Sequence, residues 1–281
     1  MKLFLARFEK PIFQLLGFSL FRRFVAAISR HNSEFDELSL IVDILLRENR
    51  EGLMVDVGAH RGESFKLFAF KGWKVLAFEP DRDPIKEAFI KARSTPNVQF
   101  FRNAVSNLAN QKLPFYTSPE SSGVSSLSPF LESHSTADGF VETETLSNIL
   151  NKYAMGVHVD FLKIDTEGHD LFVLQGLDWS QPSQHPSVIL CEFEDRKTEP
   201  LGYKYTDMAD MLVSHGYQAW VSEWYPIERY GIQHRWRSIS RYPATLQDTA
   251  AWGNIIAVNE TYANRFKVCI DRYTEFSSHV S

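Results

Sequence analysis

The sequence predicts an α/β domain built around a mostly parallel sheet, and three observations carry that expectation. From about residue 51, short apolar runs alternate with helix-like stretches. The first run, Leu53 to Val57, ends in a glycine turn, Gly58-Ala59-His60-Arg61-Gly62. The second run ends in an acid, Glu79, which lies 21 residues after Gly58. A turn and an acid so placed mark the ligand edge of a doubly wound sheet.

The elements follow in order. Residues 34–50 read as an amphipathic helix with Leu38, Ile41, Val42 and Leu45 on its apolar side and Ser33 as N-cap. Leu53–Val57 is a strand buried on both faces, and Gly62 opens a helix running through Phe70. Val75–Phe78 is the second strand, 84–93 a helix and Val98–Phe101 the third strand. A short strand is expected at Leu113–Tyr116. The serine-rich stretch 117–139 reads as a long loop, of the kind that forms lids. Helix 146–153, strand 159–165, helix 168–175, strand 188–193, helix 206–215 and strands 217–221 and 254–258 complete the series.

Hydrophobic residues at 44% and charged residues at 23% exclude disordered, collagen-like and coiled-coil classes. Two cysteines exclude a disulfide framework and point to a reducing, cytoplasmic setting. The net charge of −5 divides unevenly, with +5 on residues 1–30 and −10 on the rest. So acidic a body argues against a nucleic-acid partner.

Six of the 22 phenylalanines also fall in residues 1–30. The longest uncharged stretch there, Pro11 to Phe21, is far short of the ~20 residues a spanning helix needs. Two readings stay open for this basic, aromatic segment. It is either a peripheral contact at the inner face of an anionic membrane, or a lid or homo-oligomer contact. The organisation expected is a helical extension over 1–50, a catalytic domain over 51–260 and a tail over 261–281.

The glycine pattern narrows the ligand. A dinucleotide fingerprint would carry a second glycine where His60 stands. Without it, and with Asp56 just before the turn, the site suits a nucleoside with an amino-acid end rather than a pyrophosphate, and S-adenosyl-L-methionine fits.

The runs Asp56-Val57-Gly58-Ala59-His60-Arg61-Gly62, Phe78-Glu79-Pro80, Asn103-Ala104-Val105-Ser106 and Leu162-Lys163-Ile164-Asp165-Thr166-Glu167-Gly168 resemble the FkbM family of S-adenosylmethionine-dependent methyltransferases. The likeness spans about residues 51–194. In this chain the Glu-Gly of the last motif is followed by His169-Asp170, where an Ala-Glu-like pair is more usual. The resemblance implies a class I (Rossmann-like) fold with a mostly parallel seven-stranded sheet and helices on both faces. It also implies O-methylation of a sugar, glycan or related hydroxyl. A nicotinamide-dependent oxidoreductase and a non-catalytic nucleoside-binding scaffold are the alternatives.

The candidate cofactor-binding residues are Asp56, Gly58, His60, Gly62, Glu79, Asn103, Ala104 and Asp165. Asp165, Glu167 and His169 are the candidate catalytic groups. Asp165 ends a strand at the ligand edge, Glu167 begins a helix, and His169 titrates near neutrality. Asp165 with Glu192 would offer oxygen ligands to Mg²⁺. The stretch 217–252 holds four of the six tryptophans with Arg229, Arg235, Arg237 and Arg241. It reads either as a glycan-facing surface or as a packed β-hairpin.

Overall fold

A computed structural model describes residues 36–46, 51–118, 123, 125–131, 134, 137–228 and 234–277. The expectations for residues 1–30, Ser33 and Arg229, and parts of those for 34–50 and 117–139, fall outside these. The described residues fall into two units, one within residues 51–261 and one of residues 36–46 with 262–277.

In the smaller unit, α1 (Glu37–Leu45) is capped by Asp36, not Ser33. The Asp36 carboxylate accepts from the Leu38 N–H at 3.2 Å and from the Ser39 hydroxyl at 2.6 Å.

In the larger unit the chain runs β1 (Leu53–Val57), α2 (Lys66–Phe70), β2 (Lys74–Phe78), α3 (Pro84–Arg93), β3 (Val98–Phe101), β4 (Ala104–Val105), β5 (Lys112–Phe115), β6 (Gly139–Glu144) and α4 (Leu146–Tyr153). It continues β7 (Phe161–Ile164), α5 (Asp170–Gln175), β8 (Val188–Glu194), α6 (Asp195–Thr198), α7 (Tyr205–Ser214), β9 (Gln218–Trp224), β10 (Trp236–Arg241) and β11 (Trp252–Val258). Helix α8 (Glu260–Ser277) follows and lies mostly in the smaller unit, over the stretch read from sequence as a tail. Among the described residues no helix is long and apolar enough to cross a membrane.

The main sheet has the order β10-β9-β11-β8-β7-β1-β2-β3. Strands β3, β2, β1, β7 and β8 are parallel, whereas β11 runs antiparallel between β8 and β9. Every residue of β1 is buried, which is why it reads as an apolar run. The chain moves outward from β1 to β3, then returns to start β7 on the other side of β1. Right-handed crossovers therefore put α2 and α3 on one face and α4 and α5 on the other. The carboxyl ends of β1 and β7 flank the switch point where such sheets bind ligands.

Several expectations need correction. The sheet has eight strands, because β10 pairs with β9 at its edge. A second sheet of order β4-β6-β5 holds the short strand expected near Leu113 and two that the sequence did not disclose. The helix after the glycine turn starts at Lys66, not Gly62, because residues 60–65 form turns first. Likewise α5 starts at Asp170, two residues after Gly168.

Candidate active site

Asp56 and Lys163 are register partners on β1 and β7. Asp56 is fully buried and accepts a short hydrogen bond from the Ser64 hydroxyl, while the Lys163 ammonium lies 3.5 Å from its other oxygen. Burial raises the Asp56 carboxyl, and Lys163 opposes that rise. The same ammonium donates to the Gly58 carbonyl at 3.3 Å and to Asp165 Oδ2 at 3.1 Å. Although burial acts against its charge, Asp165 and Asp56 hold the Lys163 proton more tightly than usual. Lys163 thus ties the tips of the two central strands together, a role that sequence reasoning missed.

The two loops meet at Gly58, at φ +78°. A Cβ there would lie 1.8 Å from the Asp165 carbonyl oxygen. The glycine is therefore required by the neighbouring strand tip, whatever else approaches it. Gly62, at φ +73°, makes room for the Phe65 ring, whose Cζ would lie 2.6 Å from a Cβ. Asp56 and Gly62 make these contacts within the scaffold, and neither lines the cavity.

That cavity measures about 320 Å³, at the small end for ligand sites. Gly58, His60, Glu79, Asn103, Ala104, Asp165, Glu167 and Glu192 all line it. At one end, Glu79 Oε2 accepts from the His60 N–H at 2.8 Å and Oε1 from the Asp81 N–H at 3.0 Å. His60 reaches this position through a left-handed φ of +49°. Burial raises the Glu79 carboxyl, against Lys86, whose ammonium lies 3.9 Å away and pairs with Asp81 at 2.7 Å.

At the other end, Glu167 adopts φ +56° and Gly168 φ +96°. Carboxylate oxygens of Asp165, Glu167 and Glu192 come within 4.8 Å of one another. Burial pushes Glu167 up and Glu192 well up, while Lys197 opposes both. Lys197 follows β8 on α6 and went unremarked in the sequence, as did Lys86. The metal expectation on Asp165 and Glu192 thus meets a third carboxylate and an ammonium already among them.

His169 does not line the cavity. It is buried against Phe172, with ring centroids 4.6 Å apart, and its Nε2 lies 2.9 Å from the Ser106 hydroxyl. Burial lowers it to about 4, which makes it a weak proton acceptor, and its ring packs against Phe172.

The serine-rich loop does reach the cavity. The Ser125 hydroxyl donates to Asp81 Oδ2 at 2.8 Å, the Ser126 hydroxyl donates to the Glu167 carbonyl at 3.0 Å, and Leu127 lines the wall. Of the four clustered tryptophans only Trp252 lines it, and its ring forms a T-shaped pair with His234, centroids 5.0 Å apart. Trp220 and Trp224 are buried, and Arg237 pairs with Glu223 at 2.7 Å, so much of that stretch packs the hairpin.

A doubly wound sheet with a reversed strand inserted near one end, carrying an acid-lined cavity at its switch point, defines a class I methyltransferase fold. The family model described as the methyltransferase FkbM domain matches residues 56–219, and the chain belongs to that family. A search of curated proteins gave no match. Among solved structures, the precorrin-6y C5,15-methyltransferase of Geobacter metallireducens is 14% identical, with 79% of this chain and 87% of that one covered, at a TM-score of 0.39. A TehB-like SAM-dependent methyltransferase of Corynebacterium glutamicum is 11% identical over 85% and 95%, at 0.37. The 1,6-didemethyltoxoflavin N1-methyltransferase of Burkholderia thailandensis, solved with S-adenosylhomocysteine, is 12% identical over 78% and 76%, at 0.37.

Proposed function

We propose that this methyltransferase takes its methyl group from S-adenosyl-L-methionine and transfers it to a hydroxyl of a sugar, glycan or related small metabolite. The observation that carries the reading is the polarity of the cavity, with Glu79 at one end and Asp165, Glu167 and Glu192 at the other. Two N–H groups hold the Glu79 carboxylate, which keeps further lone pairs to accept from ribose hydroxyls. When bound, S-adenosylmethionine supplies a methyl already activated on a sulfonium. Asp165 and Glu167 would orient the acceptor hydroxyl, and one of them would take its proton as the C–O bond forms and the methyl–sulfur bond breaks to leave S-adenosylhomocysteine. Ser125, Ser126 and Leu127 close one side of the cavity to water, and Trp252 offers a flat face to a sugar ring.

A binding titration tests the donor. Heat-stabilisation by S-adenosylhomocysteine and not by NAD supports the reading, and the reverse pattern overturns it. Transfer of labelled methyl to an extract-derived glycan fraction then separates an enzyme from a scaffold. A metal-assisted version has one observation in its favour, the three converging carboxylates. Transfer that survives thorough chelation removes it.

For residues 1–30 we propose peripheral membrane or subunit contact on the strength of their charge and aromatic content. Deleting them should abolish liposome binding or reduce oligomer size, and no change in either rules the segment out of both roles.

A further inference from the structure

The Lys197 side chain is 2% exposed although it carries a charge. Its Nζ lies 2.8 Å from Glu194 Oε2 and 3.8 Å from Glu192 Oε2, and it donates a short hydrogen bond to Glu167 Oε2. On the loop side the Phe130 ring covers the ammonium, with its centroid 5.0 Å away. The backbone is shaped around this side chain as well. A Cβ on Gly168 would lie 3.2 Å from Lys197 Cβ, so the glycine of the Glu-Gly pair leaves room for the lysine while Glu167 turns back to meet it.

Carboxylates spaced like those of Asp165, Glu167 and Glu192 can share a divalent cation. Here two of those three already face the Lys197 ammonium, and Asp165 faces that of Lys163. Buried carboxylates require a counter-charge, and removing it leaves them unpaired at high cost.

We propose that Lys197 is the built-in cation of this cluster. It takes the place of a divalent ion and, as a positioning residue, fixes the directions in which Glu167 and Glu192 enter the cavity wall. Calling that wall the acceptor side rests on the proposed methyl transfer, whereas the ion pairing does not.

The test is Mn²⁺ binding followed by electron paramagnetic resonance, on wild type, Lys197→Met, Lys197→Arg and Lys197→Met with Glu192→Gln. Wild type and Lys197→Arg should hold no Mn²⁺ at the cluster. Lys197→Met should bind one ion at least about tenfold more tightly than wild type, since a repelling unit charge is gone. The added Glu192→Gln should release that ion. If Lys197→Met does not fold alone, Mn²⁺ should restore its far-ultraviolet circular dichroism. Wild-type Mn²⁺ binding that Glu192→Gln abolishes would overturn the proposal, as would a Lys197→Met protein that ignores Mn²⁺, whether folded or unfolded. S-adenosylhomocysteine affinity, read in parallel on wild type, reports on the donor assignment separately.

Discussion

Gly58 and Asp165 meet backbone to backbone: a Cβ on residue 58 would stand 1.8 Å from the Asp165 carbonyl oxygen. The contact joins the two strand tips that bracket the switch point, so the shape of the cavity depends on a missing side chain. Gly58→Ala should destabilise the domain by about 3–5 kcal/mol, combining left-handed strain with displacement of a neighbouring loop. Urea unfolding measures the loss, and a change under 1 kcal/mol would show that the loops part without cost.

Glu79→Gln keeps the shape of the side chain but removes its charge. It should weaken S-adenosylhomocysteine binding by about 1.5–3 kcal/mol, the scale of hydrogen bonds to a charged group. Calorimetric titration gives the number. Unchanged affinity in a folded variant removes Glu79 from the donor site.

Lys163→Met leaves the buried Asp56 carboxylate without its cross-strand ammonium. The expected loss is about 3–5 kcal/mol, and Asp56→Asn in the same background should recover part of it. A double variant as unstable as the sum of the singles would show that the pair is not coupled.

His169 and Asp170 are adjacent and oppose each other in pH dependence. Burial first, then Asp165, pushes the Asp170 carboxyl up from 3.8 to about 7. The unfolded chain therefore loses this proton first, and stability from Asp170 is full below pH 3.8 and falls as pH rises to about 7. Burial lowers His169 from 6.5 to about 4, so the unfolded chain binds the extra proton in that range and stability rises with pH. Asp170→Asn should expose a rise in stability between pH 4 and 6.5, and His169→Gln a fall between pH 4 and 7. Melting temperatures across that range decide, and parallel profiles in the two variants would contradict the assignment.

The cofactor half of the site was legible because its chemistry is local. Asp56 to Gly62, Phe78 to Pro80 and Leu162 to Gly168 each hold a strand tip and its turn within a few residues. The buried cations were not legible. Lys163 faces Asp56 only through sheet register across 107 positions, and Lys197 meets Glu167 from 30 residues away. Asp56 and Gly62 do not line the cavity, and a scaffold acid or a packing glycine carries the same sequence signal as a binding one. Strands β4 and β6 escaped notice because one has two residues and the other alternates polar residues at a half-exposed surface. His169 was read from its residue type, and only burial against Phe172 shows why that type does not titrate near neutrality.

The reversal of β11 has a consequence for how this fold changes its substrate. Because the strand runs against β8, its first residue, Trp252, arrives at the ligand edge opposite Glu194 and Trp224. The chain that aims this tryptophan is the connection from β10, which contributes nothing to the Glu79 end. The Glu79 end of the cavity is encoded before residue 170 and this aromatic wall after residue 190. Under the proposed methyl transfer the two sides of the cavity are therefore separable in the gene: exchanges between residues 242 and 251 should alter the Trp252 wall and leave the Glu79 end as it is.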